Sequence, residues 1–197
     1  MLLRLCKVFY EIKFSLRSFK EDLGIFEISL SLLKTIVMFE TSVIISEIHS
    51  LTEAWEPVLA SLPAGIIMQR RNRQNRTIKQ ILGHLVDSAS NNIHRIVHLQ
   101  YRQSPLSFPN YATNGNNDRW IAIQDYQNED WNDLIRLWKY TNLHLCHVIR
   151  NVDHGKLENE WMSGPDSMIT LEEMIRDYPL HLKLHLSEID ELINSPS

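Results

Sequence analysis

The chain has few of the residues that staple a fold together or break it up. Its 197 residues include two cysteines, six glycines and seven prolines. Cys6 and Cys146 cannot build a disulfide framework or a cysteine-based zinc site. So few glycines and prolines exclude fibrous and low-complexity architectures. No stretch reaches the roughly 18 uncharged apolar residues that a membrane helix needs. The formal net charge is only −4, which argues against a protein that coats nucleic acid. Histidine, by contrast, is plentiful, with nine copies. Any metal bound here would rest on imidazole and carboxylate. A chain of this length can bury a core without staples.

The first 37 residues differ from the rest. The run Met1-Leu2-Leu3-Arg4-Leu5-Cys6-Lys7-Val8-Phe9-Tyr10 begins like a signal peptide. Arg4 and Lys7 interrupt it, and no small-residue cleavage site follows. Residues 1–37 carry a net charge of +2, and residues 38–197 carry −6. Met38 can itself serve as a start. Residues 1–37 are therefore expected to be an N-terminal extension, either translated from upstream and not part of the native domain or a loosely attached arm, and residues 38–197 the domain itself.

From Met38 onward the apolar period is 3.6 nearly everywhere. A first helix is expected over about Ser42–Leu59, with Pro57 loosening its last turn. A second is expected over about Thr77–Gln100. There Thr77 and Gln80 form a capping box, and Ile78, Leu82, Leu85, Ala89, Ile93 and Ile96 form the buried stripe. The stretch Gln103–Asn128 has turn chemistry and no regular period, so it is expected to be a long functional or crossover loop. Tyr111, Trp120 and Tyr126 should pack it down. A third helix is expected over about Trp131–Val152, buried along Leu134, Leu137, Trp138, Thr141, Leu145 and Val148. The fourth, about Thr170–Ile193, opens on a capping box and should kink at Pro179. No strand-like alternation competes. Four such helices with two long connections read as an all-α four-helix bundle.

Histidines spaced i, i+4 project from one helix face and can grip one ion. With Leu171 placed at zero, His185 falls about 40° from the centre of its buried stripe and His181 about 80°. Imidazoles facing a core need partners. A metal is one solution and hydrogen-bonded core histidines are the other. His94 and His98 point away from their own stripe, towards solvent. His144 and His147 are intermediate and serve as a fallback. A third ligand should come from another helix, since a catalytic metal usually has three protein ligands and an open position. Antiparallel packing would bring His84 to the height of His181 and His185. His84 nevertheless lies about 120° from Ile78, flanking its stripe.

The segment Ile81-Leu82-Gly83-His84-Leu85-Val86-Asp87-Ser88, followed some 95 residues later by His181-Leu182-Lys183-Leu184-His185, resembles the DinB/YfiT-like family of metalloenzymes. The likeness covers about residues 40–194 and rests on the order, spacing and bundle context of short motifs. It implies a four-helix bundle with up-down-down-up connectivity. It also implies a divalent metal, nickel or zinc in type, held by His84, His181 and His185. Some members use a low-molecular-weight thiol as S-transferases or isomerases, so such a thiol is an implied second cofactor. Pro179, two residues before the histidine pair, departs from the pattern.

The chemistry expected of such a site is a hydrolase or thiol S-transferase acting on a small-molecule substrate. The alternative is a non-catalytic metal-binding stress or interaction protein. The metal would act as a Lewis acid, or would lower the pKa of bound water or thiol. Asp87 and Glu188 each lie one turn from an expected ligand and could orient an imidazole or act as a base. The plainer reading, that they solvate helix surfaces, takes precedence. Arg70, Arg71, Arg73, Arg76 and Lys79 crowd the start of the second helix, where cations oppose its dipole. They could draw in an anionic substrate or thiol, although a solvated linker is again the plainer reading. No nucleic-acid or membrane partner is expected. A homodimer and a cytoplasmic location are.

Overall fold

Capping chemistry sets where three of the long helices begin. The computed structural model describes residues 23–195, with side chains from Glu40 onward. Helix α1 spans Leu23–Ala60, and the short α2 spans Ala64–Gln69. Helix α3 (Ile78–Tyr101) starts at the expected box: Thr77 Oγ1 accepts from Gln80 N, and the Gln80 side chain accepts from Thr77 N. Helix α6 (Leu171–Asn194) opens in the same way on Thr170 and Glu173. Helix α5 (Trp131–Arg150) is capped by Asp130, whose side chain accepts from Asp133 N. Each cap satisfies amides that the helix leaves without partners.

The chain divides into two units, Met1–Glu40 and Thr41–Ser197, and the description below concerns the second. The extension expected over residues 1–37 falls mostly outside the described residues, and its boundary at Met38 lies within α1. That helix begins well before the expected Ser42 and carries Pro57 inside it. No described helix is long and apolar enough to cross a membrane.

Hydrogen bonds between helix ends give the directions. At the start of α3, Lys79 Nζ donates to the carbonyl of Gln127, just ahead of α5. At its end, Gln100 Oε1 accepts from Asp153 N, just beyond α5. These two helices therefore run the same way. Arg70, ahead of α3, donates to the carbonyls of Leu192 and Ile193 at the end of α6. Asn159, ahead of α6, donates to Leu99 O near the end of α3, so α6 runs opposite to α3. Helix α1 runs opposite to α5, since Trp131 Nε1 donates to Leu59 O at 3.0 Å and Lys139 pairs with Glu56 at 2.6 Å. Lys183 of α6 pairs with Glu47 of α1.

Three sequence expectations are corrected. The stretch Gln103–Asn128 is not structureless: it holds α4 (Asn116–Gln124) and a 3₁₀ turn at Tyr126–Asn128. Gly115 and Asp125, both with positive φ, bracket α4, and nine residues are too few to show a clear period. Strands are present too. β1 (Glu160–Gly164) and β2 (Ser167–Thr170) form an antiparallel hairpin, and Leu106 bonds to β1 through Glu160 O and Met162 N. On α5 the buried face is rotated from the expected one. Ile135, Asn142, Cys146 and Ile149 are buried, while Leu137 is 47% exposed. Asn142 is buried because Tyr178 of α6 donates to its Oδ1 at 2.6 Å and its own Nδ2 donates to Trp138 O. Pro179 lies buried inside α6, and the helix continues on both sides of it.

Candidate metal centre

The first half of α3 is enclosed on every side. Residues Ile78 through Ala89 are buried except the half-buried Gln80, because α2, α4, α5, α6 and the 3₁₀ turn all pack around this helix. This corrects the phase argument about His84. Its position off the Ile78 stripe does not bring it to solvent, and it is only 3% exposed. The antiparallel α6 brings His181 and His185 against it.

Among the described residues, His84, His181 and His185 form the one group with the donor set of a metal site, their donor atoms all within 4.8 Å. The His84 ring lies 4.6 Å from that of His185 and 5.5 Å from that of His181, centroid to centroid. His185 Nε2 and His181 Nε2 are 3.1 Å apart. Two nitrogens each about 2.0–2.1 Å from one ion can lie at most about 4.2 Å apart, so this pair fits a shared ion without rearrangement. His84 Nδ1 is buried with no hydrogen-bond partner among the described residues.

The other nitrogens of the α6 pair are held from outside. Glu188 Oε2 lies 3.0 Å from His185 Nδ1. An ionised carboxylate only accepts, so Nδ1 donates and Nε2 turns its lone pair inward. Glu188 is itself held by Asn72, whose Nδ2 donates to it at 3.1 Å. Ser88 Oγ stands 3.3 Å from His181 Nδ1. Partners of this type fix the tautomer and ring angle of metal ligands. Glu188→Gln is therefore expected to weaken metal affinity by about 10–100-fold, measured by competition with a chelating indicator. The sequence did not assign Ser88 this role, though its spacing of four residues from His84 puts both on one face.

Burial also sets the protonation state. It pushes His84 down to about 2, helped by the charges of His185, His181 and Arg76. It pushes His181 down to about 4, with His185 adding to the shift. Both are neutral donors at physiological pH. An unfolded histidine titrates near 6.5. Between that pH and about 4 the unfolded chain takes up protons that the metal-free fold refuses, so stability is lost as pH falls through this window. Each group contributes up to about 1.4 kcal/mol per pH unit. Asp87 acts in the opposite sense, since burial raises its pKa. Comparison with the metal-free His181→Ala/His185→Ala variant, which keeps His84, isolates the His181 contribution. The variant's melting temperature should gain on that of the wild type as pH drops from 7 to 5.

Asp87 does not solvate a helix surface. It is 2% exposed, and its Oδ1 accepts from Gln124 Nε2 at 2.5 Å and from Tyr126 OH at 2.7 Å. It thereby ties α4 and the 3₁₀ turn down over the site. Glu188 does not stand free on the surface either, given its bonds to His185 and Asn72. The basic cluster is largely committed to the fold. Arg70 binds the end of α6, Arg71 donates to Asn75 O, and Lys79 donates to Gln127 O. Arg76 is buried and pairs with Asp118 at 2.6 Å. Arg73 is exposed. His94, His144 and His147 are exposed. His98 bonds to Tyr101.

The sequence matches no protein-family model and no curated protein. Comparison of the fold gives a different result. The structure of YfiT from Bacillus subtilis, described as a probable metal-dependent hydrolase with an unusual four-helix bundle topology, superimposes with a TM-score of 0.67. The match covers 77% of this chain and 85% of that one, at 18% sequence identity. The chain has the fold of YfiT. The resemblance read from the histidine motifs thus extends to the whole bundle, and a likeness at this identity establishes architecture alone.

Proposed function

We propose that His84, His181 and His185 hold a divalent metal, and that the chain is a metal-dependent hydrolase acting on a small-molecule substrate. The observation that carries this reading is the three-membered group itself. Among the described residues it gathers three imidazoles and no fourth histidine, cysteine or carboxylate. Three protein ligands with an open position characterise catalytic sites, whereas structural sites are closed by a fourth. That contrast disfavours a purely structural metal. Neutral imidazoles suit zinc or nickel. The hydrolase reading is supported by the description of the structural neighbour YfiT. The end-to-end hydrogen bonds support reading the bundle as up-down-down-up.

A divalent ion bound there would polarise a carbonyl or phosphoryl group and make water a better nucleophile. The chain's own residues prepare for it. Glu188 and Ser88 fix the two imidazoles of α6, and burial keeps His84 and His181 unprotonated. The test is a screen of carboxylic esters, phosphate esters and amides with zinc- and nickel-loaded protein, with low-molecular-weight thiols plus electrophiles as a parallel arm. Metal-dependent hydrolysis that disappears in His185→Ala supports the reading. Turnover only in the thiol arm would reassign the enzyme as an S-transferase.

A further inference from the structure

Further along α3 lies a charge that no described residue neutralises. His84, Ser88, Asn91 and Arg95 follow one another at intervals of four, three and four residues, so they line one face of the helix. Arg95 is 5% exposed. Its guanidinium carbon stands 4.0 Å from the Trp161 ring centre of the hairpin and 5.7 Å from that of Tyr111. Its Nε and Nη2 are buried and have no hydrogen-bond partner among the described residues. A guanidinium enclosed by rings, without a carboxylate or carbonyl, bears a desolvation cost that stacking only partly offsets.

The pattern of unmet donors is informative. Nε–H and the adjacent Nη2–H form one edge of the guanidinium fork, the edge that grips two oxygens of a carboxylate or phosphate side-on. Among the described residues, no carboxylate or carbonyl bonds to this edge. The titratable group acting on Arg95 is Tyr111. Burial pushes the Tyr111 hydroxyl up to about 12, so it is neutral. Tyr111 also spans the gap to the histidines, with its ring 6.0 Å from that of His84.

The geometry points to Arg95 as the docking group for an oxyanion on the substrate, a carboxylate or phosphate borne at the far end from the bond presented to the histidines. The substrate is then an organic anion lying along α3 past Tyr111. Only this direction of approach rests on the hydrolase reading; the anion site stands on Arg95 alone. Arg95 was not singled out in the sequence, where an arginine after Asn91-Asn92-Ile93-His94 looks like a surface residue.

Isothermal titration calorimetry with benzoate and phenyl phosphate as probes, and benzamide as the neutral control, tests the inference on the full chain. Saturable binding of one or both anions, but not of benzamide, is expected. Arg95→Lys keeps the charge and loses the fork, and should bind at least about tenfold more weakly. The same binding should persist in the metal-free protein and in His181→Ala/His185→Ala, so failure of the metal reading would leave it intact. No saturable binding to the wild type, or equal affinity in Arg95→Lys, would overturn it. If the variant does not fold, the Nε–H proton resonance of wild-type Arg95 is the second readout. A saturable downfield shift on adding either anion supports the assignment, and an unmoved resonance rejects it.

Discussion

His84→Ala is expected to weaken divalent-metal binding by about 10²–10³-fold while leaving helix content unchanged. A structural four-ligand zinc site is worth roughly 10–16 kcal/mol, so one ligand of such a set supplies about 3–4 kcal/mol, which converts to that factor. The prediction is specific because His84, among the three proposed ligands, stands on a different helix from the other two. His181 and His185 sit four residues apart on α6 and could stay paired through their 3.1 Å contact without it. If His84 were only a packed core residue, its removal would leave metal affinity within a few fold of the wild type. Competition against a chelating indicator separates the two cases, with circular dichroism as the control on folding.

Gly83→Ala should be the most destabilising small substitution near the site. A Cβ at this position would lie 2.2–2.7 Å from ring atoms of Tyr126, well inside contact distance. The Tyr126 ring is pinned there because its hydroxyl donates to buried Asp87, so it cannot move without leaving that carboxylate short of a partner. Asp87 Oδ2 already lacks one. Overpacking costs about 1–3 kcal/mol and an orphaned buried acceptor a similar amount. Together they predict a loss of about 3–5 kcal/mol by chemical denaturation. Tyr126→Leu alone removes the ring and the hydrogen bond, and adding Gly83→Ala to it should then cost far less than in the wild type. Additive losses would show that the clash is not the cause.

The bundle was legible because its signals are local. Thr77 with Gln80 and Thr170 with Glu173 mark helix starts, and both boxes form as read. The i, i+4 spacing of His181 and His185 together with the α6 stripe placed His185 inside the stripe and His181 on its edge, and the fold buries His185 and half-buries His181. His84 was harder to read, since helical phase alone puts it beside its stripe. What buries it is the crowd of elements around the first half of α3, a property of tertiary packing that no single-helix pattern contains. The same cause hid Asp87, whose partners Gln124 and Tyr126 come from the stretch read as loop. Asn142 was illegible for a different reason. A polar residue in a core looks like surface until its partner is known, and Tyr178 lies 36 residues away. The hairpin that brings Trp161 onto Arg95 has strands of five and four residues, too short for alternation to be distinguished from chance.

The most direct test of the account is metal content. Full-length protein produced without an affinity tag should, after equilibration with zinc or nickel and desalting, retain about one ion per chain by elemental analysis, the stoichiometry of a single three-histidine centre. The His181→Ala/His185→Ala variant, treated in the same way, should retain none. Full occupancy persisting in that variant would contradict the account.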